Sequence, residues 1–215
     1  VCYQIRMYSG ITRGLFPVVA MERRPGVVRF TVELEQALVH GVELGASIAI
    51  DGVCLSMVAF EELRVSFEAI AETQGRTTLG ALELGRLVSV ERSCKVGDEL
   101  GGHDVFGHVI GTGEVVARRL VGEQLDLTIK VPGEWMKYIL PKGFVALDGS
   151  SLTVSGERTS DSFSVHLIPE TQRLTNFPRR QVGDRVNVEL DPRTVAIVDT
   201  VERVLAERFA AGAVH

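Results

Sequence analysis

One short stretch of the chain combines a potential nucleophile with a turn. Cys54 lies in "DGVCLS", just after an Asp-Gly pair that favours a tight turn, so its side chain can point into the mouth of a β-structure. A thiolate is a strong nucleophile even when only part of the thiol is ionised. The alternative is a small buried apolar residue, a common role for a free cysteine. On the residues alone, packing is the favoured interpretation.

Two histidines in "GGHDVFGH", His103 and His108, are the candidates for proton transfer. An imidazole titrates near neutral pH and can relay a proton. Their spacing of five residues (108 − 103) is not typical of a metal-binding pair, and no carboxylate cluster accompanies it. For His103 we favour a hydrogen-bonding role at a turn between domains.

The cysteines give no support to a disulfide framework or a structural zinc site. There are three, at positions 2, 54 and 94, without a CxxC motif and in an odd number. We therefore expect no structural metal site and a reducing, cytoplasmic setting.

The stretch around Cys54 occurs twice. "DGVCLS" from residue 51 returns as "DGSSLT" from residue 148, an offset of 97 (148 − 51), with Ser151 in the place of the cysteine. "ETQGRTTL" and "ETQRLTNF" are separated by 98 residues (170 − 72), and "LGRLVSVE" and "VGDRVNVE" by the same 98 (189 − 91). Gly10 precedes Gly107 by 97 residues. This order of matches predicts a tandem duplication of one small domain.

Each copy has the pattern of short β-strands. "ASIAIDGVCLSMVAF", "LRVSFEAI" and "LVSVERS" alternate apolar and polar residues, and the second copy has equivalent stretches. Such strands predict a small closed barrel or a sandwich, and closure is favoured because it leaves no unpaired edge. Short helical turns are expected in "LEQALVHGVELG" and "PGEWMKYILPKG". We predict domains at 7–96 and 97–193.

A helix is predicted over 194–209, with Pro192 as its start signal. Its apolar stripe must pack on something, either its own barrel or other copies of the chain, and the sequence leaves both open. The stripe consists of Val198, Val201, Val204 and Leu205.

Composition limits the classes of partner. The formal net charge of −5 and the pI near 5.6 predict neither nucleic-acid nor membrane binding. No apolar run approaches the length of a membrane span. Residues 1–6 lack the features of a secretory signal, and we expect them to be an upstream extension or an artefact.

Seven stretches in one order resemble the riboflavin synthase family. They run from Met7 to about Arg208 and are "MYSGIT", "DGVCLS", "GGHDVFGH", "MKYILPKGF", "DGSSLTV", "HLIPET" and "VDTVERVL". The resemblance implies an all-β fold of two tandem, duplicated six-stranded Greek-key barrels with a C-terminal helix. It also implies a homotrimer assembled through those helices, in which the N-terminal barrel of one subunit faces the C-terminal barrel of another.

The resemblance further implies a transferase reaction without a metal or redox cofactor. Two molecules of 6,7-dimethyl-8-ribityllumazine give one riboflavin and one pyrimidinedione, as a four-carbon unit passes from donor to acceptor. Two identical substrates need two similar pockets, and their opposite roles need pockets that differ. Cys54 opposite Ser151, and Ser56 opposite Thr153, are such differences.

The resemblance places four residues in the chemistry: Cys54, His108, Ser47 and Lys142. The thiol would attack C7 of the acceptor, or help water to do so, and with the resemblance this interpretation replaces packing. His108 would take a proton from the donor's 7-methyl group. Lys142 would offset the charge on the deprotonated ring, with a solvated surface lysine as the alternative.

The implied substrate-binding residues are distributed over both copies. In the first copy they are Gly10, Ile11, Thr12, Cys54, Leu55, Ser56, Glu68 and Thr73. In the second copy they are Gly107, His108, Val109, Lys142, Ser151, Leu152, Thr153, Ile168 and Thr171. Glu189 and Asp191 are expected to bind ribityl hydroxyls of a molecule from a neighbouring subunit, with helix capping as the alternative for Asp191.

The chain departs from the family pattern in a few places, including Tyr8-Ser9 where Phe-Thr is usual. Two other classes remain open. A non-catalytic lumazine or flavin carrier tends to lose the reactive pair Cys54 and His108, which this chain keeps. An assembly module would have no use for two matched pockets.

Overall fold

The computed structural model describes residues 7–212, with side chains up to residue 210. Its first barrel is a closed antiparallel sheet with the strand order β1-β2-β5-β4-β3-β6. The strands are β1 (Leu15–Arg24), β2 (Val27–Glu33), β3 (Ser47–Ile50), β4 (Val53–Glu61), β5 (Arg64–Ile70) and β6 (Leu87–Arg92). The expected extension at residues 1–6, together with Cys2, lies outside the described residues.

The second barrel repeats the first. Its order is β7-β8-β11-β10-β9-β12, which is the order of the first barrel shifted by six strands, and β12 closes on β7. The strands are β7 (Gly111–Val121), β8 (Gln124–Lys130), β9 (Phe144–Leu147), β10 (Ser150–Arg158), β11 (Ser162–Leu167) and β12 (Arg185–Leu190). The predicted fold of two duplicated six-stranded barrels is therefore confirmed, and closure rather than a sandwich is the outcome.

Helices are short except at the C-terminal end. They are α1 (Gln36–Val39), α2 (Ala71–Arg76), α3 (Pro169–Leu174) and α4 (Pro192–Gly212). Both stretches expected to form short helical turns do so. "LEQALVHGVELG" contains α1, and "PGEWMKYILPKG" contains a 3₁₀ turn at Gly133–Trp135. α2 and α3 lie at the repeated "ETQ" stretches and are not among the helices predicted from the sequence. α4 is longer than the predicted helix at both ends.

Each barrel has its own apolar core, filled by the inward-facing residues of its strands. The Phe30 and Phe67 rings of the first barrel lie 5.7 Å apart between centroids, and both are fully buried. The second core contains Phe163 and Phe177, also fully buried. Two complete cores explain why the duplicated unit closes on itself.

The two Asp-Gly turns meet where the barrels join. A Cβ atom on Gly52 would lie 2.3 Å from the Gly149 nitrogen, and Gly52 has φ +77°, so glycine is required. The preceding aspartates are buried and each binds an arginine: Asp51 Oδ2 lies 2.8 Å from Arg86, and Asp148 Oδ2 lies 2.6 Å from Arg180. Burial, with the nearby charge of Asp148, raises the pKa of Asp51 to about 6.

Asn187 fixes one barrel to the other. Its side-chain amide donates to the carbonyl oxygen of Asp51 (2.7 Å), and its Oδ1 accepts from the Thr78 amide (2.8 Å). Because both partners belong to the first copy, the two turns are held in register across the junction.

α4 contacts its own barrel and also presents an apolar face. Tyr138 donates to Asp199 (2.5 Å), Lys137 donates to Glu202 (2.5 Å), and Val195 packs on the second core. The side chains of Ile197, Val201, Leu205 and Phe209 are exposed in this single chain. The helix therefore packs on its own barrel, which is one of its two predicted roles, and assembly with other copies stays a prediction. Within residues 7–212 no helix has the length and apolarity needed to cross a membrane.

Candidate active site

The segments that precede β1 and β7 are exchanged between the copies. The Ser151 amide donates to the carbonyl oxygen of Gly10 (2.8 Å), and the Cys54 amide donates to that of Gly107 (3.0 Å). Each segment thus lies on the barrel of the other copy. Sequence order groups Gly10 with Cys54 and Gly107 with Ser151 by copy, but it does not show which barrel a connecting segment covers, and each glycine lies against the barrel of the other copy.

Both exchanged segments need glycine at the contact. Gly10 and Gly107 have φ +72° and +73°, in the left-handed region. A Cβ atom would lie 2.5 Å from the Ser151 Cβ in the first case and 2.5 Å from the Cys54 Cβ in the second. The duplicated glycine therefore marks the point where a segment approaches the candidate nucleophile position of the other copy.

A cavity of about 190 Å³ lies on the second barrel beside Ser151. α3 closes one side of it, and the Thr12 hydroxyl of the exchanged segment donates to the Leu174 carbonyl oxygen (3.5 Å). Six of its lining residues belong to the predicted substrate-binding set: Gly10, Ile11, Thr12, Ser151, Ile168 and Thr171. Hydroxyl and backbone groups here are suited to a polar, ring-bearing ligand.

The equivalent site on the first barrel is built around Cys54. Val109 of the exchanged segment packs on the first core, whereas His108 is exposed and its ring lies 6.2 Å from that of Phe106. The Tyr8 hydroxyl donates to the Cys54 sulfur at 3.2 Å. The nucleophile position therefore contacts an exchanged segment on one side and a buried phenol on another.

Ser151 has a different partner. Its hydroxyl oxygen lies 2.6 Å from His103 Nδ1 and accepts from the His103 backbone amide at 3.2 Å. The imidazole stacks on Phe144 with centroids 5.1 Å apart. Burial lowers the pKa of His103, which favours the neutral ring. His103 thus forms the kind of hydrogen bond that the sequence favoured for it, and its partner Ser151 lines the cavity.

Two buried glutamates hold the exchanged segments. Glu91 accepts from the Ser9 amide (2.7 Å) and the Gly10 amide (3.1 Å). Glu189 accepts from the Phe106 amide (2.7 Å) and the Gly107 amide (2.9 Å). Burial raises the pKa of each glutamate to about 7. Their positions at equivalent points of the repeat show that this anchor was duplicated with the barrel.

The predicted ribityl ligands have structural roles within this chain. Both carboxylate oxygens of Glu189 accept from the backbone. Asp191 accepts from the amides of Arg193 (3.2 Å) and Thr194 (3.1 Å) at the start of α4, which is the capping role given as its alternative. Ribityl binding by these two residues stays a prediction.

Glu189 gives the protein a measurable dependence on pH. Burial raises the pKa of the Glu189 carboxyl in the folded chain from 4.5 to about 7, so the folded chain binds this proton more tightly than the unfolded chain does. The resulting stabilisation is complete below about pH 4.5 and is lost as the pH rises towards 7. Between about pH 5 and pH 7.5 the free energy of unfolding should fall by roughly 1–3 kcal/mol more in the unmodified chain than in Glu189→Gln. Urea unfolding at both pH values measures this. Glu134→Gln, on the surface, should keep the parent slope, and an unchanged slope in Glu189→Gln would contradict the prediction.

Other predicted residues divide by the face they occupy. Leu55 and Leu152 belong to the barrel cores, so only their backbones can face a ligand. Ser56 and Thr153 are exposed on the opposite faces of their strands. Ser47 is 4% exposed and lies two residues from Ala49, the partner of Cys54 in the β3–β4 register, so it shares the face of the thiol.

Three residues lie further from these contacts. Glu68 binds Arg24 (2.9 Å) on the barrel surface, and Thr73 lies on α2. Lys142 is exposed in the turn before β9 at φ +62°, where the first copy has Gly45 at φ +85°. A lysine in a conformation that favours glycine is a strained choice, which is consistent with a role for its side chain.

Three features of the site and its support are not among the residues predicted from the sequence: Tyr8, Glu91 and the buried Asp51–Arg86 pair. The position of Tyr8 next to the repeated glycine could have indicated Tyr8, and the repeat equivalence with Glu189 could have indicated Glu91. Within residues 7–212 the structure brings together no group of three or more His, Cys, Asp or Glu side chains suited to a metal ion.

Comparison with known proteins identifies the duplicated unit. A family model described as lumazine binding domain matches residues 9–93 and again 106–191. The chain is 44% identical over 203 residues to riboflavin synthase of Escherichia coli (strain K12), covering 94% of this chain and 95% of that protein. The chain belongs to the riboflavin synthase family.

Other relatives agree with membership of the riboflavin synthase family. Riboflavin synthase of Chlamydia pneumoniae is 38% identical, with 93% of this chain and 98% of that protein covered. The crystal structure of LumP complexed with riboflavin has a TM-score of 0.80 at 23% identity, covering 86% of this chain and 100% of that chain. LumP complexed with 6,7-dimethyl-8-(1'-D-ribityl) lumazine has a TM-score of 0.77 at 22% identity over 86% of this chain and 99% of that one. At these identities the LumP likeness shows the fold.

Proposed function

We propose that the chain is an enzyme of riboflavin formation that catalyses the dismutation of 6,7-dimethyl-8-ribityllumazine. Two lumazines react, a four-carbon unit moves from one to the other, and riboflavin and 5-amino-6-ribitylamino-pyrimidinedione leave. Family membership supports the reaction class. The observation that carries the proposal is the pair of equivalent positions, Cys54 and Ser151, each facing an exchanged segment but each with a different hydrogen-bonding partner.

The asymmetry suits a reaction between two copies of one substrate. At the acceptor, Cys54 or a water that it activates adds to C7 of the ring, and the electron pair passes into the ring system. At the donor, the 7-methyl group loses a proton, which His108 accepts, and the resulting carbanion is delocalised over the ring. Lys142 lies in an exposed turn of the second barrel and offsets that negative charge.

The half-sites require a second chain to face each other. We propose a homotrimer assembled through the exposed apolar face of α4, with the first barrel of one subunit opposite the second barrel of its neighbour. In that assembly 7–96 and 97–193 bind substrate and 194–209 assembles the trimer. The free thiols of Cys54 and Cys94 suit a reducing compartment, and we propose the cytoplasm.

Deletion of the chain after Asp191 tests the assembly. The shortened chain should sediment as monomers or dimers, bind lumazine and turn over at least about 10-fold more slowly, because the half-sites are no longer held face to face. Analytical ultracentrifugation and a riboflavin assay on the same sample measure both effects. Lys137→Ala, which removes only the ion pairs of Lys137 with Asp199 and Glu202 of α4, should keep the parent assembly. An unchanged trimer after the deletion would exclude the helix from assembly.

The reaction itself is tested with purified chain and the lumazine as sole substrate. Riboflavin should appear by its absorbance, with one riboflavin formed and two lumazines consumed, and with the pyrimidinedione as the second product. Binding without riboflavin formation would overturn the proposal in favour of a lumazine or flavin carrier. Absence of binding would overturn both.

A further inference from the structure

Tyr8 occupies a buried position at the junction of the exchanged segments. Its side chain is 0% exposed, and its backbone forms a two-way bridge with Val105: the Tyr8 amide donates at 2.7 Å and the Val105 amide donates back at 3.1 Å. The bridge fixes the residue, so the phenol is presented in one direction. That direction is towards the candidate nucleophile.

The phenol contacts the sulfur in apolar surroundings. The hydroxyl donates to Cys54 Sγ at 3.2 Å, and Cys54 packs against a small buried cluster of Tyr8, Ala49, Val105 and Ala146. A hydrogen bond to sulfur is weak in water, but it strengthens where the surroundings are apolar and where the acceptor gains negative charge. The contact therefore matters most when the sulfur carries the charge of a nucleophile.

The repeat shows that this donor belongs to one site. The counterpart of Tyr8 in the second copy, 97 residues later (105 − 8), is Val105, which has no hydroxyl. Ser151, the counterpart of Cys54, is instead hydrogen-bonded to His103. The phenol hydroxyl therefore lies at the one of the two equivalent sites that carries a thiol.

We propose that Tyr8 is a positioning residue for Cys54: its hydroxyl orients the sulfur towards the pocket and stabilises negative charge on it. The inference rests on the proposed function of Cys54 but concerns the reactivity of the thiol, which can be measured without turnover. A Tyr8 that acted only through its ring would leave the reactivity of Cys54 unchanged when replaced by phenylalanine, since the ring remains.

The experiment compares alkylation of Cys54 by iodoacetamide at one neutral pH in the parent chain and in Tyr8→Phe. Sulfur forms the bond to the acetamide carbon and iodide leaves, and the extent at each cysteine is read by peptide mass spectrometry. We expect Cys54 to react about 3- to 10-fold more slowly in Tyr8→Phe, as for loss of one hydrogen bond to a charged group. Cys94 of the same molecules should react at the parent rate.

Tyr138→Phe is the matched control, because it removes a hydrogen-bonded phenol at α4 and should leave Cys54 alkylation unchanged. If Tyr8→Phe misfolded, both Cys54 and Cys94 would become more exposed and would be alkylated faster than in the parent chain. If that occurs, 3-fluorotyrosine at position 8 keeps the ring and strengthens the donor, and should speed alkylation of Cys54 alone. An unchanged Cys54 rate in folded Tyr8→Phe, or in the fluorotyrosine chain, would overturn the inference.

Turnover gives a second readout. Tyr8→Phe should lower kcat by a similar factor with KM and lumazine affinity unchanged, and it should have no further effect in a Cys54→Ala background. Equal losses in both backgrounds would overturn the inference. If the parent chain forms no riboflavin, the proposed function fails while the alkylation result still decides the role of Tyr8.

Discussion

Replacement of Cys54 by serine is expected to lower kcat by about 100-fold or more while the chain stays folded and binds lumazine. A hydroxyl is close in size to a thiol and can keep the contact with Tyr8, so packing changes little. It is a far weaker nucleophile at neutral pH, and the loss therefore falls on the chemical step. Stopped-flow and steady-state riboflavin formation measure the loss, and fluorescence titration with the lumazine measures binding.

The matched control for this substitution is Cys94→Ser. Cys94 is the other free cysteine of the described chain, and burial, with the nearby Glu91 and Asp98 charges, raises the pKa of its thiol. The same chemical change there should leave kcat at the parent value. Near-parent turnover in Cys54→Ser would show that the residue packs the site and takes no part in the chemistry.

Residues 7–95 produced alone are expected to bind lumazine only as a dimer and to form riboflavin at no more than about 1% of the full-length rate. In the whole chain, the Cys54 pocket is covered by the segment around Gly107, which the fragment lacks. The equivalent segment around Gly10 can supply that cover only from a second copy of the fragment. The resulting dimer has two Cys54 pockets and no Ser151 pocket, so donor and acceptor are no longer distinguished.

Sedimentation with fluorescence titration decides this prediction, and Gly10→Val in the fragment is its control. In the dimer the added side chain would collide with Cys54, as a Cβ on Gly107 would in the whole chain, so dimerisation and binding should both be lost. Tight binding by a monomeric fragment would contradict the segment exchange. Turnover at the full-length rate would contradict the division of roles between Cys54 and Ser151.

Local patterns were enough to predict most of the barrel strands but not all. The first hairpin of each copy, β1–β2 and β7–β8, is not among the strands predicted from the sequence. In β1 the outer end reads "ERR", a run of charged residues without alternation, because residues 22–24 extend beyond the core and are exposed. A strand that is only partly buried gives a weak period-two signal, and its partners supply the rest.

The sequence by itself determined the duplication, the glycines at the turns and the difference between Cys54 and Ser151, because a repeat preserves residue types at fixed offsets. Only the tertiary structure decided that the segments around Gly10 and Gly107 change barrels, and that Tyr8 reaches a sulfur 46 positions away. Two buried glutamates, each hydrogen-bonded to backbone amides more than 80 positions away in the chain, hold those segments in place. Such contacts depend on which surfaces two closed barrels leave open to each other. Which surfaces meet is decided by the shapes of the two barrels and by buried polar groups that must form hydrogen bonds. Neither can be read from the spacing of residues along the sequence.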